Sequence, residues 1–143
     1  MTQEPAERDA TLVDVAAVRT ALLIEDNADI AYLLQHMLQR DGFAAQTVGN
    51  GRDAQRYIAE SAPPDVVILD LMLPYVDGFE LLTQIREHPK WRRVPVIVLS
   101  GKVSERDAVR AIELGADDFV TKPYKPLELR ARIRRCTASA RQD

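Results

Sequence analysis

The chain has 143 residues, of which 46% are hydrophobic and 29% charged, with a formal net charge of -3. This is the composition of one globular domain, and it gives no reason to expect nucleic-acid binding by the bulk of the chain. No apolar run approaches the roughly 20 residues of a membrane-spanning helix, and the acidic start of the chain is unlike a signal peptide. The single cysteine, Cys136, cannot form an internal disulfide. We therefore expect a cytoplasmic protein without a membrane role.

The first part of the chain predicts a strand and a helix after a polar lead. Residues 1–17 are that lead, either disordered or forming a short helix from about Thr11. Residues 20–24 predict a buried strand. An amphipathic helix follows, capped by Asn27 or Asp29 and ended by Gly42. Its apolar stripe consists of Ile30, Leu33, Leu34, Met37 and Leu38.

Strands and helices continue to alternate after Gly42. Strands are predicted at 43–48, 66–69, 94–99 and 119–121, with 43–48 at an edge and 66–69 buried on both faces. Helices are predicted at 52–61, at 79–88, from the cap Ser104 to Leu114, and from Pro126 onwards. The inward face of the helix from Ser104 is thin, and that of the last helix is richer; their members are Ala108, Ala111 and Ile112, and then Leu129, Ile133 and Cys136.

Five alternations of strand and helix predict an α/β fold with parallel strands, right-handed crossovers and helices on both faces of one sheet. We predict a single domain over residues 18–137, followed by a tail or linker at 138–143.

Polar side chains follow four of the predicted strands. They are Glu25 and Asp26, Asp70, Ser100 and Lys122. In a parallel sheet the carboxyl ends of the strands share one edge, where ligands bind, so we expect these groups to converge. Three crowded carboxylates stay ionised only with compensating cations, and a hard ion such as Mg²⁺ suits oxygen ligands.

This set favours phosphoryl transfer onto a carboxylate, with Asp70 as the nucleophile. Lys122 and Mg²⁺ would neutralise charge on the phosphoryl oxygens, and Ser100 would donate a hydrogen bond. The set lacks a histidine, and no Gly-rich loop follows the first strand, which argues against a hydrolytic triad and a nucleotide site. Taken singly, Asp70 and Ser100 could be ordinary turn residues, and Lys122 an ordinary ion-pair partner.

The sequence resembles the receiver domain of two-component response regulators over about residues 19–137. The matching stretches are Leu22-Leu23-Ile24-Glu25-Asp26, Asp70-Leu71-Met72-Leu73-Pro74 with Asp77-Gly78, Pro95-Val96-Ile97-Val98-Leu99-Ser100, Gly115-Ala116-Asp117-Asp118-Phe119 and Lys122-Pro123. The resemblance implies a flavodoxin-like, doubly wound sheet of five parallel strands in the order 2-1-3-4-5 with five helices. The C-terminal stretch is similar to the receiver class attached to winged-helix DNA-binding domains.

The resemblance also implies a role for each matching residue. Asp70 would accept a phosphoryl group from the phosphohistidine of a sensor kinase or phosphotransfer protein. Glu25, Asp26, Asp70 and the backbone carbonyl of Met72 would bind Mg²⁺. Lys122 would bind a phosphoryl oxygen, with a cis bond to Pro123, and Ser100 and Phe119 would form the switch. The chain would not be an enzyme beyond slow self-phosphorylation and self-dephosphorylation.

Three features depart from the family pattern. Glu25 replaces a frequent aspartate, Phe119 replaces a frequent tyrosine, and the lead of about 17 residues is longer than usual. Met72 and Lys102, two residues beyond Asp70 and Ser100, flank the approach of a hydrolytic water. Because an apolar Met72 cannot orient that water, we predict a long-lived acyl phosphate.

The helix from Ser104, the last strand and the last helix predict an output face of alternating charge. Its residues are Arg106, Asp107, Arg110, Glu113, Asp117, Asp118, Arg132 and Arg135. It is either a solvated surface or, as we hypothesise, a self-complementary interface for a phosphorylation-promoted homodimer. Direct contact of this domain with nucleic acid is not expected. Two other readings stay open: an aspartyl-phosphate phosphatase, which would want an acid where Met72 stands, and a pseudo-receiver that binds partners without phosphorylation.

Overall fold

The computed structural model describes residues 18–101 and 104–142, with side chains described as far as residue 138. The predicted lead at 1–17, including the alternative helix from Thr11, and Lys102 lie outside these residues. The strands are β1 (Arg19–Ile24), β2 (Phe43–Val48), β3 (Val66–Leu69), β4 (Val96–Ser100) and β5 (Asp118–Thr121). The helices are α1 (Ala28–Arg40), α2 (Gly51–Glu60), α3 (Gly78–Glu87), α4 (Glu105–Glu113) and α5 (Pro126–Gln142).

The five strands form one parallel sheet in the order β2-β1-β3-β4-β5, which confirms the predicted fold class. In register, Ile24 of β1 pairs with Val48 of β2 and with Leu69 of β3. All four residues of β3 are buried, as expected of a strand covered on both faces. The carboxyl ends of the strands therefore lie side by side along one edge of the sheet.

Helices pack on both faces of the sheet and form two cores. On one face, α2 and α3 bury apolar side chains against β1, β3 and β4, together with the fully buried Trp91. On the other, α1 and α5 contribute Leu34, Leu38, Leu129 and Ile133. The indole nitrogen of Trp91 donates to the carbonyl of Ser61 at 3.1 Å, so this large side chain is buried without an unpaired donor.

Local sequence explains where four of the helices begin. A side-chain oxygen of the residue before each of them accepts a hydrogen bond from a backbone amide in the first turn, which is N-capping. The capping residues are Asn27, Asn50, Asp77 and Ser104. Gly42, just after α1, has φ +92°, a conformation that glycine adopts without strain.

Two predicted inward side chains are exposed instead. Leu33 is 58% exposed and Ile112 is 50% exposed. Leu33 was wrongly assigned because α1 faces the sheet with Ala31, Leu34 and Leu38, so Leu33 lies at the border of that stripe. In α4 only Ala111 is fully buried, and the helix therefore has an even thinner packed face than predicted.

Helix α5 extends to Gln142, beyond residue 137, which was predicted as the end of the domain. Its Leu129, Ile133 and Cys136 are buried on one face, as predicted. None of the helices within the described residues combines the length and apolarity needed to cross a membrane.

Candidate functional site

The carboxyl ends of four strands deliver the predicted polar groups to one place. Each group begins where its strand stops, and backbone hydrogen bonds continue past the strand ends. The amide of Asp70 donates to the carbonyl of Ile24 at 3.0 Å, and the amide of Lys122 donates to that of Ser100 at 2.9 Å. Asp70, Ser100 and Lys122 are thus fixed to neighbouring strands before their side chains meet.

Lys122 bridges two buried carboxylates. Its ammonium nitrogen lies 2.7 Å from Oε1 of Glu25 and 3.0 Å from Oδ2 of Asp70. Glu25 is 3% exposed and Asp70 is 5% exposed, so both acids are largely removed from water. The peptide bond from Lys122 to Pro123 is cis, as the family resemblance implied.

The other oxygen of Asp70 accepts two hydrogen bonds. The Ser100 hydroxyl, which is fully buried, donates to Oδ1 at 3.2 Å, and the backbone amide of Met72 donates to the same atom at 3.0 Å. The Asp70 carboxylate is therefore held in one orientation by three donors from three segments of the chain.

Glu25 and Lys122 influence each other's ionisation. Burial raises the pKa of Glu25, and the repulsion of Asp70 adds to this, while the Lys122 ammonium and the Asn27 amide partly oppose it. Burial alone would lower the pKa of Lys122, but its hydrogen bonds to Glu25 and Asp70 outweigh this and raise it. Lys122 therefore stays charged, and the negative charge of the site is concentrated around it.

Three carboxylates of the site are arranged as a cation would require. One oxygen each of Glu25, Asp26 and Asp70 lies within 4.8 Å of the others, with Asp26 at the exposed side. Among the described residues (18–101 and 104–142) a single ammonium group, that of Lys122, is in contact with them, which is fewer positive charges than carboxylates. An all-oxygen donor set of this kind fits a hard divalent ion. Binding of the ion by the backbone carbonyl of Met72 stays a prediction. The Met72 side chain is 64% exposed.

The two predicted switch residues lie on adjacent strands. Ser100 ends β4 and contacts Asp70, whereas Phe119 in β5 is half-buried against the core on the α2 and α3 side. Their movement on phosphorylation stays a prediction.

Several charges of the predicted output face are paired within the chain. Asp118 accepts from Arg132 at 2.9 Å and from Arg135 at 2.9 Å, and Arg132 also contacts Glu128 at 3.0 Å. Asp117 lies 2.9 Å from Arg86. These residues form a charged surface with internal partners, and its use as a dimer interface stays a prediction.

The α4 part of the same face contacts α3 through Arg110. The guanidinium of Arg110 lies 4.2 Å from the centre of the Phe79 ring, a cation–π contact with the start of α3. Arg106 is exposed and Asp107 half-buried in the first turn, and Glu113 is exposed in the last.

Sequence reasoning missed the turn at Tyr75 and the contacts that the loop after Asp70 makes with the start of α2. Tyr75 has φ +74°, and the amide of Gly51, at the start of α2, donates to the carbonyl of Pro74 at 3.1 Å. Contacts between such distant segments leave no local pattern in the sequence apart from the glycines that they require. The Gly51 and Gly78 positions were the signal, because each glycine marks a close backbone approach to this loop.

Comparisons with known proteins agree with this geometry. The family model described as "Response regulator receiver domain" matches residues 21–134. The chain is 40% identical over 113 residues to the alkaline phosphatase synthesis transcriptional regulatory protein PhoP of Bacillus subtilis, covering 79% of this chain and 46% of that protein. It is 44% identical over 115 residues to the sensory transduction protein RegX3 of Mycolicibacterium smegmatis, covering 80% and 49%. The chain thus spans about half the length of these relatives.

Solved structures of receiver domains have the same fold. The receiver domain of a signal transduction histidine kinase from Syntrophus aciditrophicus has a TM-score of 0.77 and 36% identity, covering 85% of this chain and 91% of that one. The receiver domain of sensor histidine kinase PA1611 from Pseudomonas aeruginosa, described with a magnesium ion in its active site cleft, has a TM-score of 0.77 and 30% identity, covering 85% and 99%.

The family model covers most of the chain, and the acids, hydroxyl and lysine meet at the sheet edge where the sequence predicted them. The chain therefore belongs to the family of response regulator receiver domains, the phosphorylation-based signalling modules of two-component systems.

Proposed function

We propose that Asp70 accepts a phosphoryl group from the phosphohistidine of a sensor kinase or phosphotransfer protein. The observation that carries the proposal is the bridge from Lys122 to both Glu25 and Asp70 at the carboxyl edge of the sheet. In the reaction, an oxygen of Asp70 forms a bond to phosphorus while the phosphorus–nitrogen bond to the donor imidazole breaks. The imidazole nitrogen keeps the electron pair and takes up a proton, and Asp70 becomes an acyl phosphate.

The chain's own residues prepare Asp70 for this reaction. Hydrogen bonds from Ser100 and from the Met72 amide orient its carboxylate. After transfer, we expect the Lys122 ammonium to pair with a phosphoryl oxygen and the Ser100 hydroxyl to donate to another. Both contacts strengthen as charge develops on the transferred group, which is how such sites accelerate phosphoryl transfer.

We propose Mg²⁺ as the cofactor, bound by Glu25, Asp26, Asp70 and the backbone carbonyl of Met72. The support is the spacing of the three carboxylates and the single ammonium group that contacts them within the described part of the chain. Bound there, the ion would neutralise negative charge on the acids and on the incoming phosphoryl group. The PA1611 receiver domain, described with magnesium in its cleft, is consistent with this choice.

Phosphorylation would be transmitted to the face made of α4, β5 and α5 through Ser100 and Phe119. Helix α4 is suited to such a change because it buries only Ala111 fully and leaves Val109 and Ile112 about half exposed. We propose that the outcome is homodimerisation through this face or binding of an effector. PhoP of Bacillus subtilis is named a transcriptional regulatory protein, so control of transcription is the output we favour.

We propose a phosphoacceptor rather than an enzyme, with only slow self-phosphorylation and self-dephosphorylation, acting in the cytoplasm, where the buried thiol of Cys136 would stay reduced. The domain would contact its kinase and not nucleic acid.

The direct test is incubation of the protein with Mg²⁺ and a small phosphodonor, followed by intact-mass measurement. We expect one phosphoryl adduct that requires Mg²⁺ and that Asp70→Asn abolishes. Asp29→Asn, which changes an exposed acid in the first turn of α1, is the matched control and should leave the adduct unchanged. Rapid turnover of the donor without an adduct would support a phosphatase, and neither turnover nor adduct would support a pseudo-receiver.

Dimerisation is tested by sedimentation with and without a phosphate mimic. We expect the mimic to shift the protein towards a dimer, and Arg110→Ala to weaken that shift. A monomer under both conditions at high protein concentration would refute the dimer hypothesis.

A further inference from the structure

A strained turn lies in the loop between Asp70 and α3. The amide of Val76 donates to the carbonyl of Pro74 at 3.0 Å, and Tyr75 between them has φ +74°. These are the features of the rarer γ-turn with positive φ, which strains a residue that carries a side chain. The Tyr75 side chain is 73% exposed, so burial does not stabilise the turn.

The start of α2 supports this turn with two contacts. The Gly51 amide donates to the carbonyl of Pro74 at 3.1 Å, and the Arg52 guanidinium lies 4.4 Å from the centre of the Tyr75 ring. A Cβ atom at Gly51 would lie 2.6 Å from the carbonyl carbon of Val76, so any other residue would push the turn away. Residues 51 and 52 therefore fix the turn from outside the loop.

The turn is connected to the Asp70 carboxylate by a short path. Met72, two residues before Pro74, donates its amide to Oδ1 of Asp70 at 3.0 Å. At the far end of the loop, the amide of Gly78 donates to the carbonyl of Leu71 at 2.9 Å. With both ends attached, the location of Met72 depends on where the turn at 74–76 is held.

We propose that Gly51 and Arg52 are positioning residues for the phosphoacceptor. They hold the turn at 74–76, which places the Met72 amide against Asp70 and would keep the Met72 carbonyl available to a bound Mg²⁺. The inference rests on the proposed function and extends it by assigning roles to a helix that supplies no side chain to the acidic cluster. The expected contribution of Arg52 is modest because an exposed cation–π contact is weak.

The test compares Arg52→Ala with Arg56→Ala, which removes the same charge from an exposed position one turn further along α2. We expect Arg52→Ala to weaken Mg²⁺ binding, measured by calorimetry, and to slow adduct formation, each about two- to five-fold. Removing a positive charge near an acidic site should by itself strengthen Mg²⁺ binding, so the expected change has the opposite sign to a charge effect. Arg52→Ala behaving like Arg56→Ala in both measurements would overturn the inference.

A second variant tests the path itself. Glycine adopts positive φ freely, so Tyr75→Gly should keep the turn without help from Arg52. In that background we expect Arg52→Ala to change Mg²⁺ affinity less than about 1.5-fold, whereas in the wild type it costs two- to five-fold. Equal losses in both backgrounds would overturn the inference.

Hydrogen exchange of the metal-free protein gives a readout that does not depend on activity. We expect the Gly51 amide to be protected in the wild type and in Arg56→Ala, and to exchange about two- to five-fold faster in Arg52→Ala. Unchanged exchange would count against the inference. If the wild type itself forms no adduct, the proposed function fails; if it forms one and the Arg52 variant matches it, only the positioning role fails.

Discussion

Two charged clusters in this protein differ in how their charges balance. At the carboxyl edge of the sheet, one ammonium, Lys122, faces the carboxylates of Glu25 and Asp70, with Asp26 nearby. On the α5 side, Asp118 is paired with two guanidinium groups, those of Arg132 and Arg135. Among the residues that the structure describes, the first cluster has fewer positive than negative charges and the second does not. Buried acids alone therefore do not indicate a cation-binding site, because Asp118 is also buried. What distinguishes the first cluster is that its carboxylates outnumber the cations that contact them.

The largest expected change in unfolding free energy comes from removing Lys122 from the first cluster, compared with removing one arginine from the second. Lys122→Met leaves two buried carboxylates without the cation that pairs with both and should cost about 3–5 kcal/mol of unfolding free energy without Mg²⁺. Arg132→Met leaves Asp118 paired with Arg135 and should cost less than about 1 kcal/mol. Urea denaturation in a chelator measures both, and equal losses would remove the distinction between the clusters.

The second prediction uses Cys136, whose buried thiol lies near the Asp118 cluster. Burial, together with Asp117 and Asp118, raises the pKa of the thiol from 9.0 to about 11. The folded state thus binds this proton more tightly than the unfolded state. The resulting contribution to the free energy of unfolding is complete below pH 9 and is lost as the pH rises through about 11. It amounts to at most about 2.7 kcal/mol.

Urea denaturation between pH 8 and pH 11 checks this prediction, using the difference between the wild type and Cys136→Ala at each pH. A difference that does not vary with pH would contradict the raised pKa.

The third prediction concerns neutralising one acid in each cluster, where the signs should differ. Asp26→Asn removes one of three like charges and should raise the unfolding free energy of the metal-free protein by about 0.5 kcal/mol. Asp118→Asn removes the shared partner of two arginines and should lower it by about 1–2 kcal/mol. A lower unfolding free energy in both variants, measured by urea denaturation, would show that both clusters are structural, and a higher one in both would contradict the role given to Asp118.

The smallest predicted effect concerns how water reaches the acyl phosphate on Asp70. The phosphoacceptor lies beside Met72, which is exposed but apolar. Met72→Gln should shorten the lifetime of the acyl phosphate a few-fold because a polar side chain can orient an attacking water, about 0.5–1 kcal/mol in barrier. Decay followed by intact mass checks this, with Arg135→Gln as the control. An unchanged decay rate in Met72→Gln would contradict the prediction.

Much of the fold and site was readable from the sequence because the signals are local. Apolar runs such as 66–69 predict buried strands, and parallel strands necessarily share an edge, so Asp70, Ser100 and Lys122 were expected to meet. The face of a helix is less certain when its stripe is wide. Leu33 and Ile112 were predicted inward and are exposed, because α1 and α4 bury their small neighbours Ala31 and Ala111 instead.

Contacts between distant segments could not be predicted. The charges at 118, 132 and 135 were predicted to form either a solvated surface or an interface with another copy of the chain, and their ion pairs within one chain were not foreseen. Likewise, the glycine at 51 indicates a close approach of some backbone, but nothing near it in the sequence identifies the loop after Asp70 as the segment that approaches. Such pairings depend on how elements pack, which local patterns do not encode.

The central claim is that Asp70 is the residue that carries the phosphoryl group, and mapping the modified residue tests it most directly. The protein would be phosphorylated with a small phosphodonor and Mg²⁺, reduced with borohydride to convert the acyl phosphate to homoserine, and digested for peptide sequencing by mass. We predict homoserine at position 70 alone, and only when Mg²⁺ was present. Phosphorylation at another residue, or at position 70 regardless of Mg²⁺, would contradict the account.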